Sequence, residues 1–336
     1  MGLFDKIKEP VFMKANSNAI AQLNELQAYM NIAPASIQSQ IENDIRFLKA
    51  GIIGEENIDF ELRNSHMPMI VLHDLYYQYG DLSAQIDYLI VTRKLIFVVE
   101  CKNLIGDIEI NNRGEFIRTI DYNGKKKKEG IYSPITQNQH HMEIIKKVRT
   151  ESRSNFITKA IFEKFFDDNY RPIVVLANPK TVLNAKYAKS DIKNKIIRAD
   201  QLVAYIKYCN NESRMEYMSE QQMEEIGLFF LERNEINPID YIEKYRIQAK
   251  QLEEERMKIQ DIRKPDIQKN SKGIQTKNNK QDQATEEKQV YKGLVCPKCG
   301  SPMVKRVATK GANQGKEFYG CSNFPKCRFI ININQD

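Results

Sequence analysis

The segment from residue 84 to residue 103, AQIDYLIVTRKLIFVVECKN, constrains the fold more than any other part of this 336-residue sequence. Its two apolar runs predict two adjacent β-strands, because each run is short, rich in β-branched residues and bounded by polar residues. Three ionisable residues, Asp87, Glu100 and Lys102, interrupt these runs. Burying such groups beside a strand core costs free energy unless they are paired. The segment therefore predicts a strand pair that carries a polar cluster.

Strand geometry gives the relative positions of these residues. Side chains alternate between the two faces of a strand, so Glu100 and Lys102 share a face while Cys101 points to the other. A tight turn at residues 93–94 would place Asp87 directly opposite Glu100 and bring all three ionisable residues to one face. Arg-Lys is not a favoured turn dipeptide, and a register shifted by one residue would separate Asp87 from its companions. The sequence leaves both registers open.

Two adjacent carboxylates and a lysine on one face suit a divalent cation. The carboxylates of Asp87 and Glu100 would raise each other's pKa unless a cation lay between them. Mg²⁺ prefers one or two carboxylates and completes its coordination with water and phosphate. A lysine beside it could orient the attacking water and neutralise developing negative charge. This set of residues suits hydrolysis of a phosphodiester, although an acid-x-Lys pattern on a strand also occurs without any catalytic role.

The order of the other elements predicts an α/β protein with a mixed central sheet. Apolar spacing predicts one helix before Pro34 and a second from Ser36 to Gly51. Three strands, a helix that begins at Ser133 and another strand follow, and the first strands are expected to be antiparallel. A basic segment with four lysines at 125–128 predicts a surface hairpin.

Four blocks of sequence resemble the NERD (nuclease-related) domain, a branch of the PD-(D/E)xK restriction-endonuclease-like superfamily. The blocks are GIIGEE, QIDYLIV, FVVECKN followed by glycine, and SPITQNQHH, between about residues 51 and 178. The resemblance implies an α-β-β-β-α-β core, with Asp87 and Glu100 as ligands of Mg²⁺ or Mn²⁺ and Lys102 as the catalytic lysine. It also implies site roles for Glu55, Gln137 and His141, whose neighbours Glu56 and His140 are the alternatives.

Four cysteines near the C-terminus predict a zinc site. Cys296 and Cys299 are separated by two residues, and Cys321 and Cys327 by five, with 21 residues between the two pairs. Each pair can supply two of the four thiolates that a tetrahedral structural zinc requires. A module this small has too little core to fold without its ion. Four cysteine ligands leave no open position, so the predicted zinc is structural.

The same module has the composition of a nucleic-acid-binding unit. Residues 291–336 contain eight Lys and Arg against two acidic residues, which accounts for most of the chain's net charge of +7. The cysteine spacing and the ending FYGCSNFPKC resemble the topoisomerase-type C4 zinc finger, which implies binding of single-stranded DNA. Cations contact phosphates and aromatic rings stack on unpaired bases, although the rings could instead form the core of the module. The candidate contacts are Lys305, Arg306, Lys316, Phe318, Tyr319, Phe324 and Arg328.

The sequence thus predicts four segments. They are an N-terminal helical segment (1–50), a NERD-type nuclease-like domain (51–235), a charged helix with a flexible linker (236–290) and a C4 zinc ribbon (291–336). The expected function is Mg²⁺-dependent hydrolysis of DNA by a cytoplasmic protein with no transmembrane segment. The alternatives are a non-catalytic nucleic-acid-binding adaptor and an RNA-directed protein of the same fold. No function is predicted for residues 1–50, and no oligomeric state.

Overall fold

The structure is a computed structural model of the chain, and it divides into two compact units, residues 1–265 and 266–336. The predicted flexible linker (263–289) lies outside the described residues, as do Cys299 and Lys316. None of the helices formed by the described residues is long and apolar enough to cross a membrane. The described residues are 7–122, 124–238, 240–262, 296, 301–308 and 317–332.

The first unit contains ten strands and eight α-helices within the described residues. The strands are β1 (Pro10–Lys14), β2 (Met69–Tyr79), β3 (Leu82–Val91), β4 (Ile96–Lys102), β5 (Asp107–Ile110), β6 (Phe116–Tyr122), β7 (Lys125–Ile131), β8 (Tyr170–Leu176), β9 (Leu183–Asn184) and β10 (Ile196–Arg198). The helices are α1 (Ala19–Met30), α2 (Ala35–Arg63), α3 (Pro134–Glu151), α4 (Phe156–Asn169), α5 (Ser190–Lys193), α6 (Leu202–Glu212), α7 (Glu220–Glu232) and α8 (Glu243–Ile262), with a 3₁₀ turn at Ala199–Gln201.

The central sheet is mixed, as the sequence predicts. Its strand order is β1-β2-β3-β4-β8-β10. Strands β2, β3 and β4 are antiparallel neighbours, whereas β1, β8 and β10 each lie parallel to theirs. The succession α2-β2-β3-β4-α3-β8 is the predicted α-β-β-β-α-β core, so the predicted fold class is confirmed.

Helices cover both faces of this sheet, and strand alternation decides which residues each face receives. Leu89, Val91 and Val98 pack with α3, α4 and α7 on one face. Tyr88 and Ile90 pack with α2 and α6 on the other. Because Glu100 and Lys102 have the same parity along β4 as Val98, their side chains project toward the α3 face.

A second sheet of order β7-β6-β5-β9 carries the predicted basic hairpin. Strands β6 and β7 pair antiparallel from Phe116–Ile131 to Tyr122–Lys125. The four lysines at 125–128 are exposed, but they lie in strand β7 rather than in a loop. The predicted surface hairpin is therefore confirmed.

Helix α2 corrects one expectation, because it continues through Gly51 and ends at Arg63. Gly54 lies where the helix crosses the ends of β4 and β8: a Cβ there would come within 2.7 Å of Asn103 Cβ. Two amide side chains fasten this crossing, since Asn57 donates to the Ala177 carbonyl at 3.0 Å and Asn103 donates to the Ala50 carbonyl at 2.6 Å. Gly54 therefore permits a close approach of helix and sheet.

We expect the two glycines of α2 to respond in opposite ways to alanine. Gly54→Ala should destabilise the first unit by about 1–3 kcal/mol, because the added methyl overfills a packed contact. Gly51→Ala is the matched control: it has open space around it and should stabilise the helix by up to about 1 kcal/mol. Urea unfolding of both variants measures the difference. Equal shifts of the unfolding midpoint would contradict the assignment of a close approach at Gly54.

Where the structure describes the second unit, it contains three antiparallel strands, β11 (Met303–Val307), β12 (Glu317–Cys321) and β13 (Ile330–Asn332), in that order. Within the described part of this unit, Met303, Cys296, Cys321 and Cys327 form a buried core cluster. Tyr319 and Phe329 pack against this core. The core is therefore built largely from cysteine side chains.

Candidate functional site

The β3–β4 hairpin adopts the register that gathers the ionisable residues. Its pairs run from Tyr88–Val99 to Val91–Ile96, so the tight turn lies at residues 93–94. The one-residue shift that the sequence left open does not occur. This register, continued by one pair, sets Asp87 opposite Glu100.

Tertiary contacts compensate for the unfavourable Arg-Lys turn. The Thr92 hydroxyl donates to the carbonyl across the turn at 2.7 Å. Arg93 Nη2 lies 2.7 Å from Glu220 Oε1, and Lys94 Nζ donates to the Ser213 carbonyl at 2.8 Å. Distant parts of the chain thus hold the turn and, through it, the register.

Asp87, Glu100 and Lys102 lie together at the other end of the hairpin. The Asp87 Oδ2 atom accepts a hydrogen bond from the Cys101 amide at 2.6 Å. The Lys102 Nζ atom lies 2.5 Å from Glu100 Oε1. Glu100 is 1% exposed and the other two side chains are largely buried. Two carboxylates and one ammonium group therefore share a poorly solvated site.

The charges of the cluster act strongly on one another. Burial, and then the charge of Glu100, raise the pKa of Asp87 well above its ordinary value. Burial alone would lower the pKa of Lys102, but the charge and hydrogen bond of Glu100, together with the charge of Asp87, outweigh burial and raise that pKa. Lys102 is therefore an ammonium ion at neutral pH, and its single positive charge interacts with both Asp87 and Glu100.

Helix α3 brings a histidine to the buried carboxylate. His141 Nδ1 lies 3.2 Å from Glu100 Oε2, yet neither atom has a hydrogen-bond partner among the described residues. His141 is buried whereas His140 is exposed, so His141 is the histidine of this pair that reaches the cluster. Gln137 is largely buried one turn earlier, and no side-chain hydrogen bond of Gln137 joins it to the cluster.

Two features set the position of α3. Ser133 caps the helix by accepting from the Thr136 amide, as the sequence predicts. Asn138 is buried under the sheet and donates to the carbonyls of Val98 at 3.0 Å and Ile173 at 3.1 Å. Asn138 thus ties α3 to β4 and β8 three residues before His141.

Glu55 lies beside the cluster but is held by a residue that the sequence analysis missed. His73 Nε2 lies 2.9 Å from Glu55 Oε2, and the His73 ring stacks on Tyr88 with centroids 4.4 Å apart. Burial alone would lower the pKa of His73, but the hydrogen bond and charge of Glu55, together with the Ala15 carbonyl and the charge of Asp74, outweigh burial and raise that pKa. The charge of Glu55 also contributes to the raised pKa of Asp87, whereas Glu56 is exposed.

The donor set of the cluster fits a hard divalent cation. Glu100 Oε2 is a buried carboxylate oxygen with no hydrogen-bond partner among the described residues. Such an atom is costly unless a cation or donor satisfies it. Asp87 and Glu100 supply the one or two carboxylates that Mg²⁺ prefers, and His141 Nδ1 lies 3.2 Å from Glu100 Oε2.

Three of the four predicted zinc ligands converge in the second unit. The ligand atoms of Cys296, Cys321 and Cys327 all lie within 4.8 Å of one another, and all three residues are buried. The Cys296 and Cys327 sulfurs are 3.7 Å apart. Two thiolates on one tetrahedral zinc stand roughly 3.8 Å apart, given Zn–S bonds of about 2.3 Å. The cluster supports a structural zinc.

The strands of the ribbon divide the predicted DNA contacts between two faces. Tyr319 packs against the cysteine cluster, and Lys305 lies across from it and 2.6 Å from Glu317. The neighbouring pair, Arg306 and Phe318, has the opposite parity. The Arg306 guanidinium lies 5.7 Å from the ring of Phe324, which is 57% exposed, and Arg328 is exposed. Arg306 and Phe318 therefore lie on the face away from the cysteine cluster, and Phe324 lies beside Arg306.

Comparison with known families agrees with both resemblances. Residues 50–177 match the family model of the nuclease-related domain, NERD. Residues 293–336 match that of the topoisomerase DNA binding C4 zinc finger. The predicted family assignments and their order are thus confirmed.

The chain is also similar to two archaeal proteins over short stretches. It is 44% identical over 41 residues to DNA topoisomerase 1 of Methanocaldococcus jannaschii, and 45% identical over 40 residues to DNA topoisomerase 1 of Methanothermobacter thermautotrophicus. Each match covers 12% of this chain and 5% of the relative. No solved structure matches the chain.

Proposed function

We propose that this protein is a nuclease that hydrolyses DNA phosphodiester bonds with Mg²⁺ or Mn²⁺. The observation that carries the proposal is the convergence of Asp87, Glu100 and Lys102, with one buried Glu100 oxygen that accepts no hydrogen bond from the described residues. Lys102 contacts only the other Glu100 oxygen, so Oε2, 3.2 Å from His141 Nδ1, is the atom that would bind a cation. The match of residues 50–177 to a nuclease-related family supports the same conclusion.

Asp87 and Glu100 would hold the cation, which would polarise a phosphate oxygen and make a bound water more acidic. Lys102, charged at neutral pH, would neutralise the negative charge that develops on the phosphate. His141 would contact the attacking water or the phosphate from the α3 side. Glu55, fixed by His73, would add negative charge at the edge of the site and favour cation binding.

The ribbon would hold DNA close to the first unit. Its Arg306, Phe318 and Phe324 combine a guanidinium group with two aromatic rings, which is the combination that binds single strands. Because both units belong to one chain, strand binding by one raises the effective concentration of substrate at the other. The assigned family of residues 293–336 is a DNA-binding finger, and single-stranded DNA is the proposed form.

Cleavage of labelled single-stranded and double-stranded DNA tests the proposal. We expect the wild type to cut when Mg²⁺ or Mn²⁺ is added and not without them. Glu100→Gln should cut about 100-fold more slowly or worse, the loss typical of removing one preorganised electrostatic group. Glu109→Gln is the control, because it removes a carboxylate from an exposed ion pair with Lys128 on the second sheet.

The outcomes separate the proposal from its rivals. Equal cleavage by wild type and Glu100→Gln would remove the active-site assignment. No cleavage by any chain, together with tight DNA binding, would leave a nucleic-acid-binding adaptor. Competition between DNA and RNA strands of the same sequence distinguishes a DNA-directed from an RNA-directed protein.

A further inference from the structure

Buried side-chain atoms without a hydrogen-bond partner occur in two places in the described part of the first unit. One place is the candidate active site, where Glu100, Asn138 and His141 supply three such atoms. The other is the C-terminal end of α3 and the start of β8. The atoms there are Arg149 Nε, Thr150 Oγ1, Arg153 Nε and Tyr170 Oη. Arg149 follows His141 by eight residues, about 12 Å along the helix axis.

Guanidinium groups and phenylalanine rings alternate at this second place. Arg153 lies 4.6 Å from the centroid of Phe162, and Arg149 lies 5.8 Å from the same ring. Arg149 also lies 4.3 Å from Phe229, whose ring is 4.0 Å from Arg233. Stacking on rings fixes the plane of each guanidinium group and so pre-organises its donors.

These three cations have no acidic partner among the residues that the structure describes. The nearby Glu151 is engaged elsewhere, by Lys159 at 3.0 Å and by the Tyr79 hydroxyl at 3.4 Å. Burial, and then the charge of Arg149, lower the pKa of Arg153, so the two like charges lie close enough to repel. Placing them together costs free energy that an anion would offset.

A buried hydroxyl completes the set of donors. Tyr170 is 2% exposed, and its hydroxyl lies beside the guanidinium groups of Arg149 and Arg153, close enough to Arg149 to accept a long hydrogen bond from it. Burial raises the pKa of Tyr170 despite those charges, so the hydroxyl keeps its proton and can donate. The place therefore offers several donors from three side chains and no carboxylate.

We propose that Arg149, Arg153 and the Tyr170 hydroxyl form a second anion site, which binds a phosphoryl group. Two guanidinium forks and a hydroxyl can donate to three or more oxygens of one group; a phosphate has four, of which its ester oxygens accept weakly, whereas a carboxylate has two. The phosphoryl group could belong to a nucleic-acid strand or to a small phosphate ester. The inference does not depend on the nuclease activity, because the site lies away from Asp87, Glu100 and Lys102.

Binding of inorganic pyrophosphate to the full-length chain tests the site. Calorimetric titration without added divalent cation compares wild type with Arg153→Gln and Arg149→Lys. Removing one charge-assisted contact should weaken binding about tenfold. Arg149→Lys keeps the charge but loses the fork, and should also weaken binding. Arg256→Gln, an exposed residue of α8, makes the same change in net charge as Arg153→Gln and should bind as wild type does.

A fluorescent single-stranded oligonucleotide, titrated in parallel, identifies the source of the phosphoryl group. A weaker affinity of Arg153→Gln for both probes would indicate the backbone of a strand. A weaker affinity for pyrophosphate alone would indicate a small phosphate ester. If Arg153→Gln and Arg256→Gln bind both probes with equal affinity, the arginines only stack on their rings and the proposal is wrong. Circular dichroism shows whether each variant is folded. If Arg149→Lys unfolds, the comparison of Arg153→Gln with Arg256→Gln still tests the site.

Discussion

Replacing Lys102 with methionine is expected to lower DNA cleavage by about 1,000-fold or more, since electrostatic and proton-transfer contributions of single groups each reach 10²–10⁴-fold. The Lys102 ammonium group contacts Glu100 at 2.5 Å and is the cation nearest to two acids. Methionine keeps a flexible stem of similar length but removes the charge. The scissile phosphate would then develop its negative charge without this compensation.

The same substitution should strengthen rather than weaken binding of a divalent cation. With Lys102 removed, Asp87 and Glu100 keep their carboxylates and lose the positive charge that competes with a metal. Titration of Mn²⁺ followed by electron paramagnetic resonance measures this affinity directly. Lys207→Met, at an exposed position of α6, is the control for loss of a lysine and should behave as wild type in both assays.

This split between cleavage and binding separates a catalytic lysine from a structural counter-ion. A counter-ion could be replaced by the metal, so the variant would cut DNA normally once Mg²⁺ was saturating. Wild-type cleavage by Lys102→Met at high Mg²⁺ would therefore contradict the proposed role. Loss of both metal binding and secondary structure would instead mean that the ion pair maintains the fold.

Removal of zinc is expected to unfold the second unit and to abolish its strand binding. Among the described residues of this unit, the buried core cluster is Met303 with three cysteines, and the apolar area of this cluster cannot offset the conformational entropy of ordering the strands. Structural zinc contributes about 10–16 kcal/mol of apparent binding free energy in small modules. Without the ion, the unit should lose its fold while the first unit retains its own.

Cys321→Ser tests this expectation in the full-length chain. We expect zinc content to fall from one equivalent toward zero and affinity for single-stranded DNA to fall with it. Cys209→Ser is the matched control, because Cys209 packs against the core of the first unit rather than in the cluster. A Cys321→Ser chain that retained one zinc and full strand affinity would show that the predicted cysteine set is not the metal site.

Sequence-based prediction was accurate for features that depend on residues close together in the sequence, and less accurate for features that depend on distant residues. The strand pair, its two faces and the α3 cap depend on neighbouring residues, and the structure agrees with each. The end predicted for α2 at Gly51 was wrong, because the helix continues to Arg63 and is held against the sheet by the side chains of Asn57 and Asn103, contacts that no local rule detects. Strand β1 and helix α4 were not predicted. In α4, exposed apolar residues such as Phe156 and Ile161 obscure the helical period that marks a buried face.

His73 shows how a site residue escapes notice. It interrupts the apolar run MIVLHDLYY in the way that Asp87 and Glu100 interrupt theirs, so the same rule could have found it. Its partner, Glu55, lies 18 residues earlier on α2 and contacts it only across the packed helix and sheet. The sequence thus marks His73 as a polar residue within a strand, but it does not identify Glu55 as its partner.

The sequence alone determined the alternation that puts Glu100 and Lys102 on one face, and it determined the cysteine spacing that marks a zinc module. Both are periodic or short-range properties of the chain, so they need no knowledge of the fold. The tertiary structure alone decided the hairpin register, the approach of His141 to Glu100 and the meeting of Arg149, Arg153 and Tyr170. These depend on packing between segments far apart in sequence, where long-range contacts determine which side chains meet and which are left without partners.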